Sequence, residues 1–238
     1  MQNAPSLTPR LQEIADAVAP CRCVADIGTD HAYLPAYLCA KGVCASAIAS
    51  DIRAMPLESA KETIVRYHLG DRIKTRLGGG ASTLLPGEAD AIVIAGMGGL
   101  MIAQILKDDA AVFQKAEQIL VQPMSSVYEL RTLLWEYHYR IAREWLSREG
   151  EKLYHIMAIA PGREEEKPSE WELFMGRSLL KERPQYFADY WAQQKKRLEE
   201  STADFCAPRR LMKRSCSAPR RCVGCCTKRR RIWDGKGF

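Results

Sequence analysis

The sequence predicts an α/β fold: a doubly wound, mostly parallel sheet closed by an antiparallel hairpin, with a helical appendage behind it. Three observations predict it. Short apolar runs alternate with amphipathic, helix-period stretches from Thr8 to His138. Acids and glycines gather where those apolar runs end, as at Asp26-Ile-Gly28-Thr-Asp30 and Gly96-Met-Gly98-Gly99. Residues 161–168 are charged, contain two prolines and read as a linker before a second pattern that is helical throughout. The expected division is 1–162 for the sheet domain, 168–204 for a helical hairpin and 205–238 for a basic, Cys-rich tail.

Thr8-Pro9 opens a helix, with Thr as cap and Pro at the first helical position, and Leu11, Ile14, Ala15 and Val18 on one face. Val24 to Ile27 is a buried strand, expected to be central. Leu34, Tyr37 and Leu38 mark a helix that Gly42 closes, and Val43 to Ala49 is the second strand, ending at Ser50-Asp51. A helix is expected from Pro56 to Leu69, a strand from Arg72 to Leu77, then the bare loop Gly78-Gly79-Gly80. Ala89 to Ala95, apolar except for Asp90, reads as a central parallel strand running into Gly96-Met97-Gly98-Gly99 before a helix from Leu100 to Leu106. Gln118 to Val121 is a further strand ending at Gln122-Pro123, and Val127 to His138 a helix. Tyr139 to Leu146 and Lys152 to Ala160 form a hairpin through Glu149-Gly150, which places one reversed strand at the sheet edge. Ser169 with Glu172 spells a capping box. Trp171, Phe174, Met175 and Leu179 mark one helix, Pro184 breaks it, and Phe187, Tyr190 or Trp191, Gln194 and Leu198 mark another.

The first strand-turn-helix carries the chemistry. Gly28 lets the backbone turn and leaves no side chain between loop and ligand. Asp26 and Asp30 place carboxylates where ligands of open α/β sheets bind. A pyrophosphate would be repelled there, and the full G-x-G-x-x-G fingerprint is absent. The acids suit a ligand with a positive centre and free hydroxyls, which describes S-adenosylmethionine. Asp51, 23 residues after Gly28, is spaced to accept a ribose diol. An isolated D-x-G-x-D is also an ordinary strand-to-helix turn; the spacing to Asp51 and the second glycine cluster favour a ligand site.

The net charge of +6 is unevenly spread. Residues 206–238 hold eleven Lys and Arg against the acid Asp234, while the first 205 residues hold 24 basic and 28 acidic side chains. A nucleic-acid argument from charge therefore rests on the tail alone. No run of 18 apolar residues could cross a membrane and no signal pattern opens the chain, so a cytoplasmic protein with reduced thiols is expected. Five of nine cysteines lie in the tail, where Cys222-x-x-Cys225-Cys226 and Cys216 lack a histidine and a second C-x-x-C, so no metal site is expected. With Pro208 and Pro219 among Arg, Cys and Ser, the tail reads as disordered or out-of-frame sequence.

The chain resembles the bacterial tRNA adenine-22 N1-methyltransferases, within the class I S-adenosylmethionine-dependent group. The resemblance rests on Leu7-Thr-Pro-Arg-Leu11, Ala25-Asp-Ile-Gly-Thr-Asp-His-Ala-Tyr-Leu-Pro35, Glu88-Ala-Asp-Ala-Ile-Val-Ile-Ala-Gly-Met-Gly-Gly99 and Val121-Gln-Pro123, and covers about residues 7–200. It implies a Rossmann-like methyltransferase fold, S-adenosylmethionine as cofactor, tRNA as partner, and methylation of an adenine N1 in the D-arm. No membrane and no obligatory protein partner are implied. Asp26, Gly28 and Asp30 then line the methionine end, Asp51 and Ile52 the ribose side, Gly78, Gly79 and Gly80 the adenine side. Ala95, Gly96, Met97, Gly98 and Gly99 match the wall between cofactor and target base. His31 and Tyr33, at the mouth, would position that base by stacking or hydrogen bonding. The family usually has an acid in the loop at Gly79, where it would hold the cofactor's amino group; this chain departs there. No insertion caps the site, which suits a large substrate. A methyltransferase acting on another substrate and a non-catalytic cofactor- and RNA-binding protein are the competing readings.

Overall fold

A computed structural model describes residues 4–206. In chain order the elements are α1 (Pro9–Ala17), β1 (Cys21–Ile27), α2 (Tyr33–Ala40), β2 (Cys44–Asp51), α3 (Ala54–Arg66), β3 (Ile73–Leu77), β4 (Ala91–Gly98), α4 (Gly99–Asp108), α5 (Ala110–Phe113), β5 (Gln118–Ser125), α6 (Val127–Glu136), β6 (Tyr139–Glu149), β7 (Lys152–Pro161), α7 (Glu170–Met175), α8 (Arg177–Glu182) and α9 (Phe187–Cys206).

The strands form one seven-stranded sheet in the order β3-β2-β1-β4-β5-β7-β6. β1 pairs in parallel with β2 on one side and β4 on the other, with Asp26 opposite Ala49 and Val93. Chain direction across the sheet therefore reverses beside β1, and the crevice at the carboxyl ends of β1 and β4 is the place such sheets bind ligands. Both faces are covered. Val24, Ala47 and Val93 pack with Ile14 and Leu38 on one, and Ile27, Ile92 and Ile94 with Ile102 and Leu130 on the other. Burial on both faces explains why these strands read as near-continuous apolar runs. The exception, Asp90, is buried but satisfied: its carboxylate accepts the Arg22 and Cys23 backbone N–H groups at 2.8 and 3.0 Å and pairs with the Arg22 guanidinium.

Four expectations need correction. The reversed strand is β7, one place in from the edge: it pairs antiparallel with β5 and with β6, so the edge strand β6 runs with the parallel set. Thr8 is the N-cap of α1 but makes no capping bond through its side chain; Pro9 alone supplies the start signal. α3 begins at Ala54, not Pro56, which sits in the first turn where its missing N–H costs nothing. β4 does not stop at Ala95: Gly96 to Gly98 extend it, with register slips against β5 at Ala95/Met97 and Met97/Gly98.

The capping box at α7 forms as read, with the Ser169 hydroxyl accepting the Glu172 N–H and the Glu172 carboxylate accepting the Ser169 N–H. The first appendage helix is split at Gly176 into α7 and α8. Trp171, Met175, Leu179 and Tyr190 pack with Leu146 of β6. Beneath them lies a buried ionic cluster. The Arg131 guanidinium from α6 meets Glu144 of β6 at 2.5 Å and donates to the Leu173 and Phe174 carbonyls that end α7. His155 of β7 sits 2.9 Å from Glu144 and packs edge-on against Tyr190. The expected metal-free, out-of-frame tail falls outside the described residues, apart from Cys206 at the end of α9.

Candidate active site

The crevice is built around the left-handed turn at Gly28, whose φ is +78°. The N–H groups of Gly28 and Thr29 both donate to the Ser50 carbonyl, at 2.8 and 2.9 Å, so the turn after β1 is fastened to the end of β2. A Cβ at Gly28 would come within 2.0 Å of Met97 Cε. The Met97 side chain thus lies across this turn, and the left-handed backbone there favours glycine. Thr29, buried, accepts the Ala32 N–H at 3.1 Å and steadies the entry to α2.

Two carboxylates flank the turn, both buried: Asp26 is the last residue but one of β1, and Asp51 ends β2. Burial pushes the Asp26 carboxyl up to about 6; the Thr29 hydroxyl and the Arg10 charge draw it back, and Asp51 adds to the rise. A buried acid ionised only with difficulty is a strong partner for a cation brought in by a ligand. Asp51 Oδ1 accepts the Arg53 N–H at 2.7 Å and lies 3.5 Å from the Arg53 side chain; neither contact uses Oδ2. Asp30 is largely exposed, 3.5 Å from the His31 ring.

Beyond Asp51 the crevice turns apolar. Ile52 and Leu77, just after β2 and at the end of β3, are 72% and 62% exposed. They border the Gly78-Gly79-Gly80 loop, whose Gly78 N–H donates to the Asp51 carbonyl at 3.0 Å. A Cβ at Gly79 would lie 3.4 Å from Ile52 Cδ1. Gly78 and Gly80 differ: a Cβ at Gly78 would meet Thr83 Cγ2 at 2.3 Å, and Gly80 has φ +57°.

On the opposite side the end of β4 makes a wall. Gly96, with φ +80°, donates its N–H to the buried Gln122 side chain at 3.0 Å. Gly99 serves packing, since a Cβ there would meet the Ser126 carbonyl at 2.5 Å. His31 and Tyr33 stack on each other with ring centroids 5.2 Å apart, and both are partly exposed at the mouth. A cleft of about 820 Å³ continues from Pro123 and Met124 past Tyr154 and His155 to Tyr190 and Arg197 of α9.

The structure therefore brings Asp26, Gly28, Asp51, Ile52 and the Gly78 to Gly80 loop to one crevice, with Ala95, Gly96, Met97 and Gly98 along its wall. Sequence reasoning missed Thr29, Leu77, Arg10 and Gln122. Leu77 carried a readable signal, an apolar residue directly before three glycines; Arg10 and Gln122 carried none beyond lying in motifs.

Comparison with known proteins agrees with this geometry. A methyltransferase domain family model matches residues 7–157. The tRNA (adenine(22)-N(1))-methyltransferase of Bacillus subtilis is 33% identical over 199 residues, which span 81% of this chain and 82% of that protein. The chain belongs to the tRNA (adenine(22)-N(1))-methyltransferase family. The crystal structure of the Bacillus subtilis family member TrmK superposes with a TM-score of 0.78 at 30% identity, covering 87% of this chain and 90% of that one. Streptococcus pneumoniae Sp1610, solved in complex with S-adenosyl-L-methionine, superposes with a TM-score of 0.77 at 30% identity, covering 82% and 91%.

Proposed function

We propose that this protein transfers a methyl group from S-adenosylmethionine to N1 of the adenine at position 22, in the D-arm of a tRNA. The observation that carries the reading is the pair of buried carboxylates, Asp26 and Asp51, on adjacent strand ends either side of the Gly28 turn. Asp26 supplies the negative partner for the methionine amino group, and Asp51 an acceptor for the ribose diol. Ile52 and Leu77 pinch the adenine ring beside Gly79. S-adenosylmethionine, when bound, supplies a methyl group made electrophilic by its sulfonium.

Adenine N1 carries a lone pair and no proton at neutral pH, so no side chain need act as base. What the chain contributes is position, worth about 7–11 kcal/mol when reacting groups are well aligned. The target base must leave its stack to reach the crevice. The His31–Tyr33 ring pair at the mouth offers it a stacking surface, and the backbone of Gly96 and Met97 offers a wall without bulk. The long cleft between Pro123 and α9 gives the surrounding RNA a path, and a tRNA partner supports a cytoplasmic setting. The test is transfer of labelled methyl from S-adenosylmethionine to an unmodified tRNA transcript, mapped by primer extension. Label at adenine 22, abolished when that base is guanine, is expected. Label elsewhere, or none, refutes the reading.

A further inference from the structure

We infer that Arg10 is a positioning residue for methyl transfer: through the buried amide of Gln122 it clamps the Gly96–Met97 wall. This rests on the methyltransferase reading above. Arg10 belongs to α1, before the first strand, yet its Nη1 donates to Gln122 Oε1 at 2.6 Å. The same oxygen accepts the Gly96 N–H at 3.0 Å. Gln122 is fully buried, and its Nε2 donates to the Pro123 carbonyl at 2.9 Å, which fixes the amide with its oxygen toward Arg10 and Gly96. The Gly96 N–H lies where β4 slips out of register with β5, so Gln122 Oε1 takes the place of a ladder partner. The residue after the slip is Met97, whose side chain is carried back over Gly28. A line of contacts, Arg10 to Gln122 to Gly96 to Met97 to Gly28, thus joins α1 to the cofactor turn.

The surroundings of Arg10 fit a clamp rather than a staple for the helix. Its guanidinium lies over the Tyr154 ring, 5.5 Å from the centroid, in the wall of the long cleft. Its Nε is 3.8 Å from Glu149 Oε2, a buried oxygen with no hydrogen bond of its own. α1 has other anchors: Ile14 and Ala15 are buried in the core, and Gln12 Nε2 donates to Tyr37 Oη at 3.0 Å. Removing the guanidinium should therefore loosen the wall and leave the helix docked.

The test uses the full chain at pH 8, above the value of about 6 to which burial raises Asp26. Arg10→Met keeps the apolar stem and removes the donors. Its single-turnover rate at saturating tRNA and S-adenosylmethionine should fall ten- to a hundredfold, with cofactor Kd within threefold of wild type and the Gly96 amide exchanging at least tenfold faster. Arg10→Lys should recover part of the rate. Combining Arg10→Met with Gln122→Met should cost no more than the worse single change, as expected for residues acting through one contact line. Wild-type rates in Arg10→Met and Arg10→Lys, scaled to the folded fraction, would overturn the inference, as would additive losses. A wild-type protein that methylates no tRNA, while Gly96 exchange still answers to Arg10, would instead sink the parent reading.

Discussion

Replacing Gly79 with aspartate should tighten S-adenosylmethionine binding ten- to a hundredfold. The local geometry permits the change. Gly79 is not in the left-handed region, unlike Gly80 at φ +57°. A Cβ at Gly79 meets only the Ile52 side chain, with Cδ1 at 3.4 Å and Cγ1 at 3.9 Å, which is ordinary van der Waals contact and needs no movement. The Gly79 carbonyl accepts the Ser82 hydroxyl at 2.6 Å, so the loop backbone is held whatever occupies the position. A new carboxylate at this position would accept the amino group of a bound adenine. A hydrogen bond to a charged group contributes about 1.5–3 kcal/mol, and each factor of ten in Kd is about 1.4 kcal/mol, which gives the stated range. The neighbouring glycines are internal controls. Gly78→Asp would drive its Cβ to 2.3 Å from Thr83 Cγ2. Gly80→Asp would strain the backbone and bring its Cβ to 2.8 Å from Oδ2 of Asp109, the carboxylate that accepts the Ala81 N–H. Both should weaken binding. Calorimetric titration of all three variants with S-adenosylmethionine decides the matter. Equal or weaker binding by Gly79→Asp would mean that the adenine ring is held elsewhere, and the assignment of this loop would have to be withdrawn.

Four further outcomes are expected. Cofactor affinity should fall as pH drops through about 6, because protonation of Asp26 removes the anion that meets the methionine amino group; Asp26→Asn should bind weakly at every pH, and an unchanged pH profile in that variant would exclude Asp26 as the source. Asp51→Ala should weaken binding by about 1.5–3 kcal/mol through loss of the diol acceptor, read by calorimetry against the 2′-deoxyribose analogue, which should bind both proteins more nearly alike. Arg131→Met should cost about 3–5 kcal/mol of stability by leaving Glu144 buried and unpaired, whereas an unshifted melting temperature would contradict the assigned role of the cluster. The same cluster makes the appendage acid-labile: burial holds His155 below its ordinary 6.5, and Arg131 and His155 outweigh the burial of Glu144 and hold it below 4.5. With both folded-state values depressed, the unfolded chain takes up protons first, so stability is whole above about pH 6.5 and falls on acidification. Melting followed by Trp171 and Trp191 fluorescence from pH 8 to 5 should show that fall, and His155→Gln should flatten its upper part.

By itself the sequence determined the strand-and-helix alternation, the hairpin, the capping box and the placing of Asp26, Gly28 and Asp51 around one crevice. These follow from local rules: apolar runs buried on both faces, a glycine where the backbone turns left-handed, and acids at strand ends. Sequence did not determine which strand of the hairpin meets β5, because both Tyr139–Glu149 and Lys152–Pro161 carry enough apolar side chains to pair there; the match of Val121 with Met157 was settled by packing. Nor did it show that Gly96 to Gly98 prolong a strand, since a glycine run has no side chains to set a period and only the pairing with β5 extends it. Arg10 and Gln122, 112 residues apart, meet through folding alone. Arg131, Glu144 and His155 likewise come together from three elements under the appendage. Local patterns fix elements and turns, whereas contacts between distant polar groups exist only once the core has chosen which faces are buried together.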